Sequence, residues 1–347
     1  MRFRVALPLV FLLTLIGLLV AGRRPPSIEA REAKTLAANL PALEAQRSGE
    51  AAWARGEDAD AERYFRTAAR LEPRSALACL NLGMALARQG REKEATEALL
   101  RAAALQPQWG LVWQQLASLY ADAGQLPAAR DAAQRATRCS PGFVEAWISA
   151  GHVALLSGDF AGAERASRRA IALDPGRPDA WLSLGDVLLR KPGGDPLPAA
   201  AEAFRKAAAL QPSAYAFRRL GETQRRLGKI SEAVTSLEQA ARLAPQDASA
   251  AYELALALQA AGNKVEGARW AARARRLQEQ RYRVAELQRK VQQAPGDVRL
   301  LAELAQVLAR QGAREEAMRA YRKVLALDPQ NEPARQALAR LEAGAEN

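Results

Sequence analysis

Apolar and small residues in 110–143 fall into two helical stripes separated by a break. Trp113, Leu116, Ala117 and Tyr120 recur at three- and four-residue spacing, one face of a helix. Gly124 interrupts it. A second stripe, Ala129, Ala133 and Ala136, starts after Pro127, and Pro141 ends it, because proline lacks an amide donor and disfavours the helical region for the residue before it. The pattern predicts two helices joined by a tight turn, with small residues where they meet.

That unit repeats. Pro73, Pro107, Pro141 and Pro175 stand 34 residues apart, and Gly56, Gly90, Gly124 and Gly158 keep step with them. Ala61, Ala95, Ala129 and Ala163 form a third ladder, and Ala68, Ala102, Ala136 and Ala170 a fourth. A helix pair of this size cannot bury its apolar face alone, so neighbouring pairs must stack.

In this order the residues resemble the tetratricopeptide repeat, W-x2-L-G-x2-Y, then A-x3-F, then P. Trp147 with Gly151, and Trp181, Leu184 and Gly185, match the first element. Ala61-x3-Phe65, Ala200-x3-Phe204 and Ala317-x3-Tyr321 match the second. The resemblance implies an all-α, right-handed α-solenoid of stacked helix-turn-helix units. Seven units are expected over 42–281, beginning at 42, 76, 110, 144, 178, 214 and 248, and a final one over 298–331. Residues 25–41 read as a linker and first helix bounded by Pro41, and 332–347 as a capping helix and tail.

Two units depart from the period. In the unit at 178, Lys191–Pro198 reads as an inserted loop from its prolines and glycines. In the unit at 248 no proline closes the second helix, and Gly262 to Gly312 spans 50 residues instead of 34. One helix of nearly thirty residues, reaching about residue 293, is expected, with 282–297 forming its end and the following turn.

The N-terminus is different in kind. Arg2 and Arg4 precede an apolar run over 5–22, just long enough to cross a bilayer as a helix. A cleaved signal peptide is the rival reading, but Arg23-Arg24 after the small residues 20–22 disfavours cleavage. The reading adopted is a single N-terminal transmembrane helix within 1–24. The slight basic excess on its N-terminal side points to an inner-membrane protein whose repeats are periplasmic.

The formal charge is +12. The first 24 residues hold four arginines and no acid, leaving 46 basic against 38 acidic residues in the remainder. A surface of this sign permits anionic partners without requiring them. Cys79 and Cys139 are too few for a disulfide framework or a four-cysteine zinc site. His152 is the sole histidine and has no ligand cluster at metal spacing. The chain has no phosphate-binding glycine loop and no nucleophile elbow. No cofactor and no catalysis are expected.

The resemblance implies that peptides bind on the concave face, at positions two, five, nine and twelve of each first helix. Here those include Met84, Gln114, Ser118, Glu145, His152, Asp179, Asp186, Arg218, Glu222 and Arg225. The carboxylate-clamp pattern of chaperone-binding relatives is missing: Asn81 matches one position, but Gln46, Glu50, Leu111 and Gln115 do not match the others. A second feature is a basic stripe on the long helix, Arg269, Arg276, Arg283 and Lys290 at seven-residue spacing, with Arg273 beside it. With only Tyr282 near its middle, nucleic acid is not the expected partner. The expected function is a membrane-anchored scaffold for other proteins in assembly or secretion at the bacterial envelope. The alternative is binding of an anionic polymer or membrane surface through the stripe.

Overall fold

The computed structural model describes residues 27–193 and 196–343, with side chains described from Leu40 onward. The segment assigned to the membrane anchor, 1–24, lies outside them. The described residues form seventeen α-helices and no strand. They divide into two compact units, one running through Pro175 and the other starting at Gly176.

The first unit holds α1 (Ser27–Ala54), α2 (Asp58–Leu71), α3 (Ala76–Arg88), α4 (Glu92–Leu105), α5 (Gly110–Asp122), α6 (Leu126–Cys139), α7 (Val144–Leu156) and α8 (Phe160–Leu173). The second holds α9 (Pro178–Arg190), α10 (Leu197–Leu210), α11 (Ala214–Arg226), α12 (Ile230–Leu243), α13 (Ala248–Ala260), α14 (Lys264–Gln293), α15 (Val298–Arg310), α16 (Arg314–Leu327) and α17 (Glu332–Ala343). Within each unit, consecutive helices pack on one another.

The small-residue ladders are where the helices touch. Ala61, Ala95, Ala129, Ala163, Ala200, Ala233 and Ala317 are all fully buried. Glycine plays a different part on the first helix of a pair. A Cβ on Gly185 would stand 2.6 Å from the Phe204 ring, and one on Gly221 would stand 2.5 Å from Leu237 Cγ. Each glycine is the hollow that receives a large side chain from the second helix.

The turns follow from the ladder glycines. Gly90 (φ 73°) and Gly124 (φ 72°) adopt the left-handed conformation that closes a helix without a Cβ penalty. The tryptophans of the motif fasten the preceding turn: Trp113 Nε1 donates to the Pro107 carbonyl at 2.7 Å, and Trp147 Nε1 to that of Pro141 at 2.9 Å. A half-buried apolar side chain thereby also satisfies a loop carbonyl.

Two expectations are corrected. Pro41 does not end a helix; α1 runs through it. A proline inside a helix loses one amide bond and crowds the preceding turn, at roughly 3 kcal/mol. Burial of Ala45 against Ala68 and Ala69, and of Ala52 against Ala61 and Phe65, opposes that cost. The loop of the unit at 178 is shorter than its composition suggests, because Leu197 and Pro198 already belong to α10, with the proline in the first turn where its missing amide is harmless. Cys79 is buried and Cys139 half-buried, and both are free thiols.

Helix α14 has 30 residues and serves two cores. Ala274 and Leu277 pack with Ala248 and Ala251 of α13. Leu287 packs with Leu301, Leu304 and Leu308 of α15. The first turns of α14 complete one helix pair, and the last turns begin the packing of the next.

Candidate functional site

The first-helix faces of the second unit carry a network of ion pairs. Asp186 on α9 accepts from Tyr215 Oη at 2.6 Å and from Arg219 Nε at 2.8 Å, both on α11. Arg219 also reaches Glu222 at 2.6 Å. Arg225 bonds Glu253 of α13 at 3.0 Å, and Arg218 lies 3.6 Å from Asp247 at the start of α13. Of four residues expected to line a groove, Asp186, Arg218 and Arg225 are therefore engaged with neighbouring helices, and Glu222 with Arg219 of its own helix. Their carboxylates and guanidinium groups align those helices as well as facing outward.

Burial, then the hydrogen bond to Asp186 and the charge of that carboxylate, push Tyr215 up to about 12 from its usual 10. A phenol with a raised value favours the folded state while it is protonated. Its contribution is whole below pH 10 and is lost as pH rises through 12. In a tyrosinate absorbance titration, one tyrosine is expected to ionise last in the wild type. Tyr215→Phe should remove that late step, and Asp186→Asn should move it to lower pH.

The groove residues of the first unit are not brought together into one site. Met84 sits half-buried beside Glu50, Trp53, Phe65 and Asn81 in a shallow hollow of about 120 Å³. Gln114 donates to Ser118 at 3.2 Å, and Ser118 Oγ lies 3.5 Å from Ser149 Oγ. His152 is exposed on α7.

The basic stripe of α14 is largely occupied. Arg269 pairs with Glu266 at 3.1 Å, Arg283 with Glu286 and Glu303, and Lys290 with Glu286 at 2.6 Å. Arg273 donates to the Pro245 carbonyl at 2.9 Å and lies over the Trp270 ring. Arg101 makes the same bond to Pro73 in the first unit, which marks it as a device of the repeat. Arg276 alone of the five makes neither an ion pair nor a hydrogen bond with the described residues.

A cleft lies on the other side of α14. It encloses about 700 Å³ between Arg218 of α11, Ser249, Tyr252 and Glu253 of α13, and the face of α14 that carries Arg275, Gln278, Arg281 and Tyr282. At ~100° per residue, Gln278, Tyr282 and Ala285 point roughly opposite to Arg276, Arg283 and Lys290. Sequence reasoning missed Arg275 and Arg281 because it searched for a seven-residue recurrence of charge. The available signal was that the extension of α14 beyond its unit must pass a first-helix face and wall it off.

Tetratricopeptide repeat models match residues 47–108, 115–178, 148–215 and 218–282, and a second such model matches 298–341. No curated protein sequence matches the chain. Among solved structures, pilF of Pseudomonas aeruginosa is 18% identical, covers 62% of this chain and 96% of its own, and superposes with a TM-score of 0.54. TTC0263, a thermophilic TPR protein of Thermus thermophilus, is 21% identical over 53% of this chain and 100% of its own, with a TM-score of 0.45. MamA of Desulfovibrio magneticus RS-1 is 22% identical over 49% and 95%, with a TM-score of 0.43. The first of these likenesses is one of fold.

Proposed function

Because the chain belongs to the tetratricopeptide repeat family, we propose that it is a non-catalytic scaffold that holds a segment of another protein against the first helices of its second unit. The observation that carries this reading is the open cleft beside α13, where aromatic, charged and neutral polar side chains line one continuous surface. Such a lining suits an extended chain with mixed side chains.

The location of the scaffold rests on the sequence of residues 1–24. We place it at the inner membrane, held by the apolar run 5–22, with its repeats outside the cytoplasm and its work in envelope assembly or secretion. None of the described helices is long and apolar enough to cross a membrane. The pairing within the basic stripe weighs against the alternative, an anionic polymer or membrane surface bound along that face.

A photo-crosslinking residue placed in the full chain at Ser249, in the cleft, and separately at Arg276, on the opposite face of α14, tests the scaffold in cells. Discrete protein adducts from the first site and none from the second are expected. No adduct, or the same adducts from both, would overturn the reading. Alkaline extraction of membranes and protease shaving of intact spheroplasts test the anchor. The protein should stay in the membrane fraction and lose its repeats to external protease.

A further inference from the structure

The charge and shape of the cleft in the second unit point to the chemistry of its occupant. Arg275 and Arg281 are exposed and make no ion pair or hydrogen bond with the described residues, unlike most members of the stripe behind them. They are six residues apart on α14, about 9 Å along the axis. At ~100° per residue they fall on the two flanks of the cleft-facing strip centred on Gln278, Tyr282 and Ala285. Opposite them, Arg218 adds a third guanidinium from α11, with its Nε covered and without a hydrogen bond. The one carboxylate in the cleft, Glu253, is already bonded to Arg225. The uncompensated positive charge therefore lies on the α14 side, since Arg218 also has Asp247 at 3.6 Å.

Between the charges stand two tyrosines, Tyr252 of α13 at 53% exposure and Tyr282 of α14 at 67%. Large aromatic side chains this open, lining one cleft, offer ring faces for an apolar or aromatic side chain. Ser249 and Gln278 supply neutral hydrogen-bonding groups to a peptide backbone.

We infer that this cleft selects an acidic segment of a partner protein, with carboxylates meeting Arg275 and Arg281 and an apolar side chain seated between Tyr252 and Tyr282. This rests on the scaffold reading and adds the chemistry of the partner. An extended chain advances about 3.3 Å per residue, so acids two or three positions apart match the axial component of the separation of the arginines, and a wider spacing spans the two flanks. A nucleic-acid strand fits less well, because its unbroken line of phosphates would have to run past Glu253.

The test is a phage-displayed library of random ten-residue peptides, selected on the full-length protein. Peptides with Asp or Glu flanking an apolar residue should be enriched. Their affinity should fall by about tenfold or more in Arg275→Glu/Arg281→Glu, through loss of charge complementarity. Both residues are unpartnered, so the fold should be unaffected. Arg275→Gln/Arg281→Gln carries the same comparison should charge reversal disturb it. Enriched peptides without acids, or acidic peptides that bind both variants as well as wild type, would overturn the inference and leave the scaffold standing. Preferential binding of a single-stranded thymidine oligonucleotide, lost in the same variants, would overturn it in favour of nucleic acid. Failure to enrich any peptide would also overturn it, and the crosslinking experiment would then decide separately whether the scaffold reading falls with it.

Discussion

Phe204→Ala is expected to destabilise the second unit by about 3–5 kcal/mol, the range for emptying a buried aromatic site. Phe204 is fully buried, and its ring occupies the hollow left by Gly185 on α9. The Arg219 guanidinium lies over it, with its carbon 5.5 Å from the ring centroid. Removing the ring leaves a void between α9 and α10 and takes away the surface on which that arginine rests. Because repeat arrays are stabilised by neighbour contacts, the damage should be local. Amide exchange should accelerate in α9–α11 far more than in α2–α5, and the denaturant midpoint for the second unit should fall. A companion substitution tests the hollow itself. Gly185→Leu should cost about 1–3 kcal/mol in wild type by overpacking. In the Phe204→Ala background it should recover part of the loss, because the new side chain enters the vacated space. Additive losses would show that glycine and ring do not share one site.

Arg219→Met should destabilise the same unit by about 2–3 kcal/mol, the scale of charge-assisted hydrogen bonds whose partners remain covered. Arg219 and its two carboxylates are mostly covered, at 15% exposure for the arginine side chain and 20% for Asp186 and for Glu222. Methionine preserves the stem and deletes the donors. Asp186 keeps the Tyr215 hydroxyl, so the larger loss should come from two negative charges no longer bridged. The triple variant Arg219→Met/Asp186→Asn/Glu222→Gln removes that repulsion and should return most of the stability. Urea denaturation of the three proteins measures this. A triple variant no better than the single one would mean that the lost packing of the guanidinium, and not its charge, had mattered.

The repeat was legible because its requirements are local. A 34-residue ladder of alanines can be read without knowing any partner, since each alanine sits where two helices of one pair touch. Pro41 was misread for the opposite reason: its local signal is a helix boundary, and only the burial of Ala45 and Ala52 on α2 keeps the helix intact. The groove suffered in the same way. Position in the repeat places Asp186 and Arg225 on first-helix faces, but their bonds to Arg219 and Glu253 depend on which side chain the next unit presents. Seven-residue spacing found a real row of basic side chains on α14, yet spacing does not reveal which of them meet a carboxylate. Arg276 within that row meets none, and neither do Arg275 and Arg281 outside it.

Helix α14 crosses from one core to the next without a break, so its length works as a rotary setting for everything that follows. Each residue of an unbroken helix advances the chain by about 1.5 Å and also turns it by about 100°. Deleting one exposed residue between Leu277 and Leu287 would therefore swing α15–α17 a quarter-turn or more around the axis and carry Leu287 away from its core. Deleting seven would shorten the span by about 10 Å and leave the azimuth within about 20° of its present value. In this stretch the chain can change length in steps of about two helical turns. Smaller steps alter the direction in which the C-terminal repeats face.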